Sequence, residues 1–416
     1  MIVAPIFATL LLAYVLVSRR LEGGPISPAL VFAVGGCLTG LVGGVELTPQ
    51  DLSGTQGEVV RVLAELALAL VLFADASSIG LRRAAAERRF PDRLLGLGLP
   101  LTIVAGAAAA LGLLDGLELW LCVLLAALLA PTDAALAAPV VTDSRIPGPV
   151  RRALDVEAGL NDGVCVPVVT FAVAAAVSVE GSPSTTLWHE ALVTIGGGIL
   201  VGAIAGLAGG GLLAAADRRG MMADDVRPFA AAALAFATFF AADEIGASGF
   251  IAAFVAGLVA SRPLGEDRSA LVRFSERDGT LLSFAVFFAF GILAAGVLDD
   301  ITAMEALYAV LSLTVVRMAP VALALVGTGL RMPSVAFMGW FGPRGIATIA
   351  LLLVAIGDEP GLPGLDVVMR AVTATVLLSI LLHGVSAPAL VRRYGSWAAA
   401  LPAGAAETAE PAERSP

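Results

Sequence analysis

Charge is what this chain has least of. Asp, Glu, Lys and Arg make up 14% of its 416 residues, against about 25% in an average soluble domain. With 58% hydrophobic residues and a mean hydropathy of +0.92, that shortage excludes a soluble protein. Lysine is absent, so all 25 basic residues are arginine. Histidine is nearly absent: His189 lies near the end of an apolar run and His383 stands alone. There is therefore no His/Glu metal pattern, and no Gly-x-Ser-x-Gly elbow either, which leaves little for a membrane-embedded enzyme. Cys37, Cys122 and Cys165 fall in apolar runs without metal spacing and read as small core residues. No cleavable signal is expected, because the first apolar run ends in Arg19-Arg20. Residues 396–416, rich in Ala, Pro and Glu, read as a short disordered tail, too short for a nucleotide-binding or sensor output domain.

Long apolar runs separated by short charged loops predict an all-α polytopic membrane protein over residues 1–395. The spacing predicts thirteen spans, near 2–18, 26–44, 59–77, 94–114, 118–141, 153–179, 187–215, 226–243, 247–261, 278–297, 301–329, 334–356 and 367–391. The ninth is short enough to be read as only partly embedded. Loops after odd-numbered spans hold the arginines: Arg19 and Arg20; Arg82, Arg83, Arg88, Arg89 and Arg93; Arg145, Arg151 and Arg152; Arg392 and Arg393. Loops after even-numbered spans hold acids, among them Glu46, Asp51, Asp115, Glu180, Asp299 and Asp358, and only Arg61 and Arg370 break the pattern. The positive-inside rule then puts the N-terminus outside and the C-terminus in the cytoplasm, which requires an odd number of spans. The charged segment 81–93 reads as a solvated cytoplasmic loop helix, not a binding patch. Gly198, Gly202, Gly206 and Gly210 form a ridge at four-residue spacing, expected for close helix packing.

Against this apolar background the ionisable intrusions stand out, since a charge inside a membrane helix costs a few kcal/mol. Asp155-Val156-Glu157-Ala158-Gly159-Leu160-Asn161-Asp162-Gly163 places three carboxylates at the front of the sixth span. Ala130-Pro131-Thr132-Asp133 interrupts the fifth, and Phe341-Gly342-Pro343-Arg344-Gly345 interrupts the twelfth. Proline in mid-helix removes a donor and frees a carbonyl. Two Gly/Pro breaks seven spans apart, each beside a charge, predict inverted six-helix repeats and a midplane site. At 1.5 Å per residue, Asp162, Arg344 and Arg317 all approach the midplane of a ~30 Å core. Glu157 and Asn161, four apart, share a face. Asp162 points about 140° from Glu157.

Several of these residues resemble the cation/proton antiporter superfamily, in particular NhaP-type sodium/proton antiporters related to the animal sodium/proton exchangers. The similarity lies in Pro131-Thr132-Asp133, in Glu157 to Gly163, in Arg317 of Val315-Val316-Arg317 and in Gly342-Pro343-Arg344-Gly345. It implies a membrane transporter with crossing interrupted helices and without a cofactor, multi-pass in the cell membrane, working as a homodimer in lipid, with no nucleic-acid partner. By that resemblance Asp162 takes Na+ (or Li+ or K+) and H+ in turn, Thr132 and Asp133 add oxygen ligands to Na+, and Asn161 belongs to the family's Asn-Asp pair. Glu157 pairs with Arg317 as a structural ion pair, Arg344 supports the site by offsetting Asp133, and Asp75 matches a weaker acidic position. The family often has Ser where this chain has Ala158, and Pro commonly follows the Thr-Asp pair rather than preceding it. The expected activity is monovalent cation/proton antiport by alternating access, one for one and electroneutral. A K+/H+ antiporter on the same fold, an enzyme or a sensor are the alternatives.

Overall fold

The computed structural model describes residues 3–21, 24, 26–43, 55–86, 89–178, 185–264, 269–359, 361–402 and 404–408. Arg88 and the loop acids Glu46, Asp51 and Glu180, used above for orientation, lie outside them. Among the described residues there is no strand, and each expected span is helical. The spans begin Val3–Leu21, Pro28–Gly43, Thr55–Ala86 and Pro91–Leu113. Gly148–Val177, Thr185–Arg218, Ala230–Asp243, Gly249–Leu264 and Ser269–Val297 are the sixth to tenth, and Leu365–Ala398 is the thirteenth.

Three spans are interrupted. The fifth is split into Leu119–Leu128 and Ala134–Val141, and the twelfth into Met332–Trp340 and Ile346–Asp358, at the two Gly/Pro breaks. The eleventh, expected to be continuous, is divided at Thr314 into Ala303–Leu313 and Val315–Ala324. Thr314 Oγ1 donates to the Val310 carbonyl at 2.7 Å, the i−4 competition that bends helices, and Pro320 removes another donor below it.

The inverted repeat is visible in the packing: the second span packs on the tenth, and its counterpart, the ninth, packs on the third. One contact recurs in both pairs. A Cβ on Gly36 would lie 2.9 Å from the backbone carbon of Phe288, and a Cβ on Gly257 would lie 2.9 Å from Phe73 Cα. The glycine of one helix thus meets the phenylalanine backbone of the other in each half. The short ninth span packs against both the seventh and the third. Its Ala252, Ala256 and Ala260 meet the glycine ridge at Gly202, Gly206 and Gly210.

Two loop regions make contacts that the sequence did not announce. Arg89 donates to the Thr328 carbonyl at 2.6 Å, and Arg93 donates to those of Ala324 (3.1 Å) and Val326 (2.5 Å). These two arginines are exposed, as a solvated segment requires, and also complement the C-terminal end of the eleventh span. The tail is not disordered throughout: the thirteenth helix runs to Ala398, and within the described residues 404–408 Glu407 is buried. Its carboxylate accepts from Arg331 N–H (2.8 Å) and Ser334 Oγ–H (3.0 Å), at the start of Met332–Trp340. The two arginines that broke the charge pattern carry acids beside them: Arg61 pairs with Glu65 at 2.7 Å, and Arg370 with Glu305 and Asp366 at 2.9 Å each.

Candidate ion-binding site

The site is built where the two broken spans cross. Each break leaves helix ends with free backbone groups, donors at N-termini and carbonyls at C-termini. Asp133 caps its own half-helix by accepting from Leu136 N–H at 2.8 Å through Oδ1. Its Oδ2 accepts from Ile346 N–H at 2.7 Å, at the N-terminus of the opposite half-helix. The backbone closes the same contact, with Asp133 N–H donating to the Pro343 carbonyl at 2.8 Å. One carboxylate therefore sits against two positive helix ends.

Arg344, fully buried, does the converse. Its Nη1 donates to the Ala130 and Pro131 carbonyls at 2.8 Å each, beyond the end of Leu119–Leu128. Thr348 Oγ1 donates to the Leu128 carbonyl at 2.8 Å. The expected offset of Asp133 by Arg344 is thus replaced by helix ends: the guanidinium's hydrogen bonds go to carbonyls, and those of Asp133 come from amides.

The sixth span supplies the rest. Glu157 Oε1 lies 2.6 Å from Arg317 Nη1, with both side chains at 2% exposure or less. The expected ion pair is therefore present, across residues 160 apart in the chain. A Cβ on Gly342 would lie 2.6 Å from Arg317 Nε and 3.1 Å from Thr132 Cγ2, so the twelfth-span break is held between that arginine and the fifth-span break. Asn161 Nδ2 donates to Thr132 Oγ1 at 2.7 Å, joining the two predicted oxygen donors. Asp162 is 5% exposed, and its Oδ1 makes no hydrogen bond among the described residues.

A cavity of about 1720 Å³ reaches this point. Asp75, Asp133 and Asp162 line it, and so do Arg19, Asp143, Arg145 and Arg392 from the arginine-rich face. Gly159 lets the third span close on the sixth: a Cβ there would lie 3.5 Å from Asp75 Cβ, which brings this weaker acid one turn from Asp162. Asp155, seven residues and two turns before Asp162, lines the same cavity nearer its mouth. At the mouth Arg145 hydrogen-bonds Asp143 at 2.6 Å and holds its carboxyl down at about 2. Among the described residues no three His, Cys, Asp or Glu side chains gather as a metal cage. Oxygen donors of this kind suit a hard cation.

A family profile described as "Sodium/hydrogen exchanger, transmembrane" matches residues 7–393. The chain belongs to that family. This exchanger shares its fold with the sodium proton antiporter MjNhaP1 from Methanocaldococcus jannaschii. The structure at pH 8 has a TM-score of 0.74 at 19% identity, covering 92% of this chain and 99% of that one. The structure from an electron-microscopy map gives 0.70 at 19% identity, covering 94% and 97%. The exchanger is also 30% identical over 213 residues to the "Uncharacterized Na(+)/H(+) exchanger YjcE" of Escherichia coli K12. That match spans 49% of this chain and 39% of the relative. These relatives are membrane ion exchangers rather than enzymes.

In the exchanger, every predicted site residue falls on the crossing or on the cavity that leads to it. Sequence reasoning missed Thr348, Ser379 and His383. The signal was present for the last two, a Ser and a His four residues apart in an apolar span, which places them on one face.

Proposed function

We propose that this protein exchanges Na+ (or Li+) for H+ across the cell membrane, one for one and without net charge movement. Asp162 is the shared carboxylate, Thr132, Asp133 and Asn161 supply further oxygens, and Glu157–Arg317 is a structural pair. The observation that carries the reading is Asp162 itself: buried, with Oδ1 free of hydrogen bonds and facing a cavity open to the arginine-rich side. By the positive-inside rule that side is the cytoplasm, so this conformation is inward-open.

The physical logic needs no separate coupling device. An empty Asp162 carries a charge that is expensive to move through a dehydrated gate. A bound monovalent cation or a proton neutralises it, so the loaded forms cross. With Arg317 neutralised by Glu157, and the charge of Arg344 set against that of the helix-held Asp133, Asp162 is the carboxylate left for the cation or the proton to balance. Alternating access then follows from movement of the crossed helices against the remaining spans, in a homodimer that holds each protomer in the bilayer.

Purified protein in proteoliposomes tests this. Sodium-driven proton flux should be unchanged when the membrane potential is clamped with potassium and valinomycin. A flux that reverses with voltage would mean more than one proton per cation, and the single-carboxylate account would be wrong. Equal flux driven by potassium would assign the protein to the potassium alternative.

A further inference from the structure

The break in the twelfth span is held from two sides. The fifth span holds it through Asp133, as described. On the other side stand Ser379 and His383 of the thirteenth span, both buried and one turn apart. Ser379 Oγ accepts from Arg344 N–H at 2.7 Å. His383 Nε2 lies 2.8 Å from the Trp340 carbonyl, and its Nδ1 lies 3.1 Å from Ser379 Oγ. In the neutral tautomer with the proton on Nε2, that nitrogen donates to the Trp340 carbonyl and Nδ1 accepts from the Ser379 hydroxyl. That tautomer makes one continuous run: Arg344 N–H to Ser379 Oγ, Ser379 O–H to His383 Nδ1, His383 Nε2–H to the Trp340 carbonyl. Nδ1 also lies 2.9 Å from the Ser379 carbonyl, the partner it takes when it carries the proton.

That run ties together the two ends of the break, residue 340 at the close of one half-helix and residue 344 before the other. Trp340 is fixed in turn, its Nε1–H donating to Ser386 Oγ at 3.0 Å. Within the break Gly342 N–H turns back to the Trp340 carbonyl at 2.8 Å, and the stretch from Pro343 to Gly345 is not helical, so partners outside it fix its path. Its shape decides where the Pro343 carbonyl and the Ile346 amide point, and both of these touch Asp133. We propose that Ser379 and His383 are positioning residues for cation binding, acting through the twelfth-span break on Asp133. This inference rests on the assignment of Asp133 and Asp162 to the ion site.

The test uses full-length protein in proteoliposomes and compares H383A, H383Q, S379A and the H383A/S379A double variant. Partners outside the first ligand layer typically change cation affinity roughly 10–100-fold when removed. H383A and S379A should each raise the half-saturating Na+ concentration by about that factor, with the maximal rate little changed. The double variant should be no worse than the worse single one, because both residues act through one chain. H383Q, which keeps a donor for the Trp340 carbonyl, should recover part of the loss. Unchanged half-saturation in both single variants would overturn the proposal. So would additive effects, or a loss of maximal rate and melting temperature with half-saturation intact. If H383A fails to fold, S379A and H383Q carry the comparison, since S379A removes a single hydroxyl and H383Q keeps a polar side chain in place. D162N serves as the separate control: exchange surviving in D162N would sink the ion-site assignment, whatever the other variants do.

Discussion

Asp133 and Asp162 are both buried carboxylates on one cavity, yet their surroundings give them different work. Asp133 has each oxygen against a backbone amide of a helix start. Asp162 has an oxygen with no such partner. Replacing Asp162 by Asn should therefore abolish cation-driven pH change in everted vesicles while the protein still folds and inserts. Normal exchange by that variant would remove Asp162 from the mechanism. Gly345 is the second sensitive position at this scale, because a Cβ there would lie 2.6 Å from Asp133 Cγ. Overpacking costs about 1–3 kcal/mol. Taken from ion binding, that is about tenfold in affinity or more. Gly345→Ala should raise half-saturating Na+ accordingly in the same vesicles, and an unchanged value would mean the crossing is looser than its packing. The acids and arginines were legible in the sequence because a charge amid apolar residues stands out. Thr348 was not, and Ser379 and His383 showed only as two polar residues on one face, since the part of all three depends on which backbone atom each meets. Only the fold supplies that.

At the scale of the element, the crossing is a trade of dipoles. The acid of one break serves the starts of two half-helices, and the arginine of the other serves the carbonyls past a half-helix end. The Gly/Pro breaks announced both interruptions in the sequence. What the sequence could not announce was this exchange of partners: Arg344 was expected to offset Asp133 in charge, while hydrogen-bond direction was invisible. The third interruption at Thr314 was missed because Leu313-Thr314-Val315 is unremarkable as a string. Glu157 and Arg317 were legible as a pair, and their isolation from water sharpens the expectation. Removing either alone should destabilise the protein by about 3–5 kcal/mol. The double variant E157Q/R317Q should recover part of that. Thermal unfolding in detergent measures it, and simple addition of the two single losses would show that the residues are not energetic partners.

For the whole molecule, the repeat was inferred from two breaks. It is now supported by a contact the sequence did not reveal, the paired glycine crossings at Gly36 and Gly257. A glycine's role there depends on which backbone comes near, so composition alone gives no hint of it. Orientation is a prediction at this scale, resting on the arginine-rich loops. Ser144 lines the cavity mouth on that face. A cysteine in its place (S144C), read against the parent chain, should react with a membrane-impermeant thiol reagent in everted vesicles and stay protected in intact cells. Labelling from the outside of intact cells would invert the topology.

The folded-back end has a practical consequence for anyone shortening the chain to aid crystallisation or expression. A cut after Leu401, chosen to shed an Ala/Pro-rich end, would also remove the carboxylate seated on the start of Met332–Trp340. Loss of a helix cap costs about 0.5–2 kcal/mol, so the trimmed protein should melt earlier than the parent, and E407A should reproduce the drop without any deletion. If both melt like the parent, the end can be discarded freely. If they do not, the safe place to trim lies beyond Thr408.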